Sequence, residues 1–113
     1  MKCQVINLEE GMPRVDMGIK RLYLEIITAK HKRIKVLKII HGYGSSGKGG
    51  SLRKGVLEYL SKKKKEGFIK EYIPGENWDI FNEATRKALD VYRELKNDKD
   101  LGKMNLGITM VFL

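Results

Sequence analysis

Four short apolar runs, separated by segments of helical period, constrain this chain more than any other feature of its sequence. Residues 3–8 (CQVINL), 34–40 (IKVLKII), 68–73 (FIKEYI) and 107–113 (GITMVFL) are rich in β-branched and aromatic residues and read as strands. Pro13 suits the first turn of a helix, where its missing N–H costs nothing. Val15, Ile19, Leu22, Tyr23, Ile26 and Ile27 then recur on one helical face as far as about Lys30. A second helix is predicted from Ser51 as N-cap, with Leu52, Val56, Tyr59 and Leu60 inward and Gly67 at its C-cap. Pro74 and Gly75 stop the third strand. A helix over 79–96 is predicted next, with Ile80, Ala84, Ala88, Val91 and Leu95 in one stripe and Phe81 and Tyr92 beside it. Alternation of this kind favours right-handed crossovers and a largely parallel arrangement. The expected fold is a single α/β domain over 1–113: a two-layer sandwich, β-α-β-α-β-(α)-β, with a four-stranded mixed sheet.

A chain of 113 residues can bury a sufficient core without disulfides or structural metals. With Cys3 as its one cysteine, no intrachain disulfide and no soft metal-ligand cluster is possible, and a reducing, cytoplasmic setting is expected. No run approaches the roughly 18 apolar residues that span a bilayer, and the first residues lack the apolar stretch of a signal peptide, so no membrane partner is expected.

Charge is unevenly placed. The net charge is +9, yet residues 32–65 hold eleven basic side chains and one acid, Glu58, while the rest is nearly balanced. Such concentration predicts a face that meets polyanions. A cation-favouring helix end accounts for Lys62–Lys65 but not for Lys48 or Arg53.

Between the second strand and second helix lies HGYGSSGKGGSLR (41–53), a run of glycines followed by a helix start. Glycine lets backbone N–H groups approach a ligand closely, a helix N-terminus adds free donors, and Lys48 and Arg53 add charge. The expected contacts to a phosphate backbone are His41, Gly42, Tyr43, Gly44, Lys48, Ser51, Arg53 and Lys54. Gly42–Lys48 also spells G-x-x-x-x-G-K, most of a nucleotide-binding P-loop. Its eighth position, however, is Gly49 instead of a magnesium-binding Ser or Thr, and no later apolar strand ends in Asp.

These residues resemble the Smr (small MutS-related) domain family. Its HGxG motif, at the end of the second strand, matches His41-Gly42-Tyr43-Gly44. Its Leu-Arg pair matches Leu52-Arg53, and its closing Gly-x-Thr strand matches Gly107-Ile108-Thr109. The resemblance spans the chain apart from about 74–104, where a helix stands in place of a short connection. Against the family's opening Leu-Asp-Leu-His-Gly signature this chain has Ile6-Asn7-Leu8-Glu9, with Asn7 in place of the acid and Glu9 in place of the histidine.

Membership implies DNA or RNA binding and, in some members, strand cleavage. His41 is then the candidate acid, base or phosphate donor, with a structural role in the loop as its alternative. Glu9 is a weaker catalytic candidate, and Mg²⁺ or Mn²⁺ is implied only if the chain is catalytic; no residue is assigned to a metal. With an amide at position 7, little or no nicking is expected. Tyr43 either stacks on a base or packs the loop, His31 lies in a solvated helix end, and Trp78 anchors 74–104 to the core. Two other functions stay open: a nucleotide or phosphate-ligand enzyme using 42–48, and a protein-interaction or homodimer module using 74–104.

Overall fold

The computed structural model describes residues 3–11, 14–43 and 49–113. Its elements are β1 (Cys3–Asn7), α1 (Val15–His31), β2 (Val36–Ile40), α2 (Gly49–Lys65), β3 (Glu71–Pro74), a 3₁₀ turn (Gly75–Asn77), α3 (Glu83–Val91), a second 3₁₀ turn (Arg93–Asn97) and β4 (Ile108–Phe112). The four strands form the one mixed sheet expected, in the order β1-β2-β4-β3.

Only β1 and β2 pair in parallel; β4 lies antiparallel between β2 and β3. The expectation of largely parallel pairing is corrected here, for a topological reason. β3 ends at Pro74 opposite Thr109, close to where β4 begins. The segment between them leaves and re-enters the sheet at one end, so β4 must run back against its neighbours. It slots between two co-directional strands, and all five of its residues are buried.

On one face, Leu22, Ile26 and Ala29 of α1 and Leu52, Val56 and Leu60 of α2 pack on Ile6, Leu8, Leu37, Ile39 and Val111. Spacings of three and four residues bring these side chains onto one stripe of each helix. The opposite face is also covered over its β4–β3 half. There Trp78, Leu89 and Leu95 pack on Val36, Ile73, Ile108, Met110 and Phe112. Trp78 is fully buried, as its anchoring role required.

The single helix expected over 79–96 is instead α3 flanked by two 3₁₀ turns. Asp79 and Asn82 divert the backbone before it can coil. Asp79 Oδ1 accepts from Phe81 N at 2.8 Å, and Asn82 Oδ1 caps α3 by accepting from Thr85 N at 3.0 Å. The helix then breaks at Tyr92, where ψ is 76°. Leu89 and Leu95 would point about 120° apart on a continuous helix of about 3.6 residues per turn. The break lets both reach the sheet, and the expected stripe holds only in part: Leu95 is buried and Ala84, Ala88 and Tyr92 pack beside it, while Ile80, Phe81 and Val91 are exposed. Ser51 is likewise not the N-cap but lies in the first turn of α2, which begins at Gly49. Gly67 closes α2 as expected, with Gly67 N donating to Lys64 O and Phe68 N to Lys63 O. Among the described residues no helix is long and apolar enough to cross a membrane.

Candidate functional site

The carboxyl ends of β1, β2 and β3, the first turns of α1 and α2, and the start of β4 share one end of the sheet. Open α/β sheets bind ligands at this kind of edge. What holds it in shape is a polar chain that begins at Lys38 in the middle of β2. Lys38 is 5% exposed, and its Nζ pairs with Asp98 at 2.9 Å and with Asp100. Trp78 Nε1 donates to the other oxygen of Asp98 at 3.0 Å. Asn105 Nδ2 donates to Asp100 at 3.0 Å, and Asn105 Oδ1 accepts from Gly107 N at 2.9 Å.

Burial alone would depress the Lys38 ammonium, but its hydrogen bonds to Asp100 and Asp98 outweigh this and raise its pKa. Asp100 is pulled the other way. Burial would raise its carboxyl, yet the bonds from Lys38 and Asn105 hold it below the ordinary value. Lys38 and Asp100 are therefore both ionised at neutral pH.

The network ends on the HGYG segment. Gly107 O accepts from His41 N at 2.9 Å and from Gly42 N at 3.1 Å. The His41 ring points into the helix-covered face, is fully buried, and uses both nitrogens. Nδ1 lies 2.7 Å from Gly42 O, and Nε2 lies 2.8 Å from Thr109 Oγ1. Since a carbonyl oxygen can only accept, Nδ1 carries the proton, and in the neutral ring Nε2 accepts from the threonine hydroxyl. Burial holds the His41 pKa below its usual value, and the nearby Arg53 charge adds to this against the Gly42 bond and Glu76. As placed, His41 ties the end of β2 to β4. That is the loop-bonding alternative of the two roles weighed from sequence.

Gly42 has φ of +74°, and a Cβ there would run into the Glu9 carboxylate, with Glu9 Cδ at 2.8 Å. Glycine is needed here for the turn, while the exposed Glu9 side chain can swing aside from a Cβ. Asn7 is exposed, and its Oδ1 accepts from Glu9 N at 3.0 Å, which turns the backbone at the end of β1. Beside these residues opens a cleft of about 290 Å³, lined by Glu9, Gly42, Tyr43, Lys99, Asn105 and Gly107 among others. Tyr43 stands 56% exposed at its edge.

Arg53 does not present a free cation here. Its Nη2 pairs with Glu76, and its Nε donates to Leu106 O at 3.2 Å, clamping α2 to the segment that follows β3. Ser51 and Lys54 are exposed in the first turns of α2. Gly44 and Lys48 lie outside the described residues. His31 is exposed at the end of α1, as expected.

A hard divalent cation needs several oxygen ligands together. Among the described residues no group of three acidic, histidine or cysteine side chains is placed to hold one. Glu9 is an exposed carboxylate at the strand ends, Glu10 lies 3.8 Å from Arg21, and Asp98 and Asp100 are taken by Lys38. The donor set does not fit Mg²⁺ or Mn²⁺, and no step is derived through either.

Sequence reading passed over Lys38, Asp98, Asp100 and Asn105, and took Thr109 only as a motif letter. One signal was available for the first: a lysine in the centre of IKVLKII falls on a strand expected to be buried, where an unpaired charge is rare. The acids that pair with it lie about sixty positions away, and no local pattern marks them.

The fold and this end together define a small α/β domain with an HGxG turn bonded to a Gly-x-Thr strand. A family model for the Smr domain matches residues 7–78, and the chain belongs to that family. Its structure is similar to the crystal structure of the Smr domain of Thermus thermophilus MutS2, at a TM-score of 0.60 and 17% identity. The match covers 97% of this chain and 96% of that one. No curated protein gives a significant match to the chain.

Proposed function

We propose that this Smr domain binds nucleic acid through its HGYG end and cleaves it weakly or not at all. The observation that carries the reading is the convergence, at the carboxyl ends of β1 and β2, of an exposed aromatic ring with the donor-rich start of α2. Tyr43 stacks on a base, as aromatics in nucleic-acid grooves do. Gly42, Gly44, Lys48, Ser51 and Lys54 are the proposed phosphate contacts. His41 and Arg53 act as positioning residues, the first through Thr109 and the second through Glu76. Weak cleavage follows from the same geometry. An amide at position 7 is no base, the His41 nitrogens are both occupied, and an exposed Glu9 carboxylate repels a scissile phosphate.

The test is binding of labelled DNA and RNA, single and double stranded, across a salt series. Tyr43→Ala and the Lys48→Ala, Lys54→Ala pair should each weaken binding, and the lysine pair should flatten the salt dependence. Wild-type affinity in both variants at every salt concentration removes the HGYG end as the contact. Labelled ATP distinguishes the P-loop alternative, and supercoiled plasmid or RNA incubated with Mg²⁺, Mn²⁺ or chelator reports cleavage. Robust nicking lost in His41→Ala overturns the catalytic half of the proposal.

A second reading, a protein or homodimer contact through 74–104, draws on Ile80, Phe81 and Val91 standing exposed, Phe81 at 86%. A concentration series in size exclusion, with Phe81→Ser as control, tests it.

A further inference from the structure

Among the described residues, most of the cations that set the sequence apart lie away from the glycine loop. Of the eleven basic residues in 32–65, Lys38 is buried in the sheet and Arg53 is held by Glu76. Lys32, Arg33, Lys35 and Lys62–Lys65 stand at the far end of the sheet, where α1 and α2 finish and β2 begins. Lys30 and Lys70, from outside that window, join them. A hollow of about 220 Å³ opens there, with Lys30, Arg33, Lys35 and Lys70 in its wall.

Backbone hydrogen bonds fix these four residues. Arg33, at φ of +59°, donates from N to Lys30 O at 3.0 Å. Lys35 O accepts from Leu113 N at 2.9 Å, and Lys70 N donates to Phe112 O at 2.8 Å. The Lys30 ammonium sits 4.1 Å from the centre of the Phe68 ring, which stacks on Tyr23. Against this charge stand Glu66, paired with Lys63, and Glu71, paired with Lys64. Lys30, Lys32, Arg33, Lys35, Lys62, Lys65 and Lys70 make no ion pair among the described residues.

The preference of helix C-termini for cations does not account for Arg33, Lys35 or Lys70, none of which lies in a helix. Like charges packed this closely repel and lower the stability of the fold; a polyanion reverses that effect. The exposed residues Ser51, Lys54, Glu58, Lys62 and Lys65 follow helical spacing along α2, so one solvent-facing stripe, with Glu58 as its one acid, runs from the HGYG end to the end of the helix that carries the hollow. Seventeen residues of helix span about 26 Å at about 1.5 Å each. That equals roughly seven to eight base pairs of duplex at about 3.4 Å per step.

We propose that the hollow lined by Lys30, Arg33, Lys35 and Lys70 is a second phosphate-backbone contact, reached by the same nucleic acid that runs along α2 from the HGYG end. The inference rests on the nucleic-acid reading above and commits to a far larger footprint than the loop alone. The occupant is a nucleic-acid backbone, since cations from α1, the α1–β2 connection and the segment before β3, with Lys54, Lys62 and Lys65 exposed along α2, fit a repeating row of phosphates.

The experiment uses the full chain with Lys35→Glu and Lys70→Glu combined, and Lys54→Glu as the variant of the other end. Both far-end side chains are exposed, and reversing charge within a self-repelling cluster relieves repulsion, so the fold is retained; circular dichroism melts verify it. The probes are a 20-base-pair duplex and a 20-nucleotide single strand in a salt series, together with phosphatidylserine vesicles. The expected result is at least a tenfold loss of affinity at low salt in the far-end variant, with its log–log salt slope on duplex shallower by about two. Wild-type affinity and slope in that variant, with weakened binding in Lys54→Glu, overturn the second contact and leave the HGYG reading standing. No nucleic-acid binding by wild type overturns both. Vesicle capture that the far-end variant abolishes, with nucleic-acid binding unchanged, assigns the hollow to anionic lipid and also overturns the proposal.

Discussion

Replacing Lys38 by methionine keeps most of the side-chain volume in the sheet and removes one positive charge. What remains is Asp98 beside Asp100, at side-chain exposures of 15% and 14%, with no cation between them. Removing one member of a buried ion pair costs about 3–5 kcal/mol, because the survivor stays desolvated and unpaired. Here the carboxylates keep donors in Trp78 Nε1, Asn105 Nδ2 and the Asp100 backbone N–H, which places the expected loss near about 3 kcal/mol. For a domain of this size that lowers Tm by roughly 12 °C.

Two further signatures separate this account from a simple packing defect. In the wild type the depressed Asp100 pKa contributes stability above the ordinary carboxyl value, lost as pH falls through the folded-state value. In Lys38→Met the two carboxylates repel, their folded-state pKa values rise, and the sign reverses: the variant gains stability as pH drops from 7 to 5. Adding Asp98→Asn and Asp100→Asn should recover the fold to within about 1 kcal/mol of wild type, since no charge is then buried. Amide exchange at His41 and Gly42 should quicken in the single variant, because both bond to Gly107, whose N–H the network holds. Urea unfolding and hydrogen-exchange NMR measure all of this. A loss below about 1 kcal/mol that grows on acidification refutes the reasoning.

His41 should make the fold acid-sensitive. Its folded pKa lies below 6.5, so the stability it contributes is complete above that value and is lost as pH falls toward the folded-state pKa, at up to about 1.4 kcal/mol per pH unit. The stability difference between wild type and His41→Gln should therefore grow from pH 5 to pH 7 in urea titrations, and a constant difference contradicts it. Thr109→Val leaves Nε2 buried without its donor and should cost about 1–3 kcal/mol, with Thr109→Ser close to wild type. Gly75→Ala places a Cβ into the Asn105 carbonyl oxygen and 2.9 Å from Ile108 O. Neither backbone can yield without moving the start of β4, so the expected loss is about 1–3 kcal/mol in a thermal melt; an unchanged Tm shows that the segment shifts freely.

Apart from the third strand, expected over 68–73 and found at Glu71–Pro74, local sequence pattern was enough to read the strands, the inner faces of α1 and α2, the burial of Trp78 and the resemblance carried by HGYG, Leu52-Arg53 and the Gly-x-Thr strand. These are local properties: a residue's spacing from its near neighbours decides which face it shows, and turn motifs act within a few positions. The 79–96 segment failed the same logic. Asp79 and Asn82 offered the backbone alternatives that a period count does not weigh, and the sheet rewarded burying Leu89 and Leu95 from different sides of a broken helix.

Composition alone established a strongly basic chain and where along its length the charge lies. Only the tertiary structure decided what each cation does. Lys38 became the centre of a buried ion network, Arg53 a clamp on Glu76, and the lysines flanking the two helix ends a charged hollow far from the glycine loop. The physical reason is that charge acts through distance in space and through burial. Both depend on which ends of the strands and helices come together, and that arrangement follows from β4 entering the sheet antiparallel between β2 and β3.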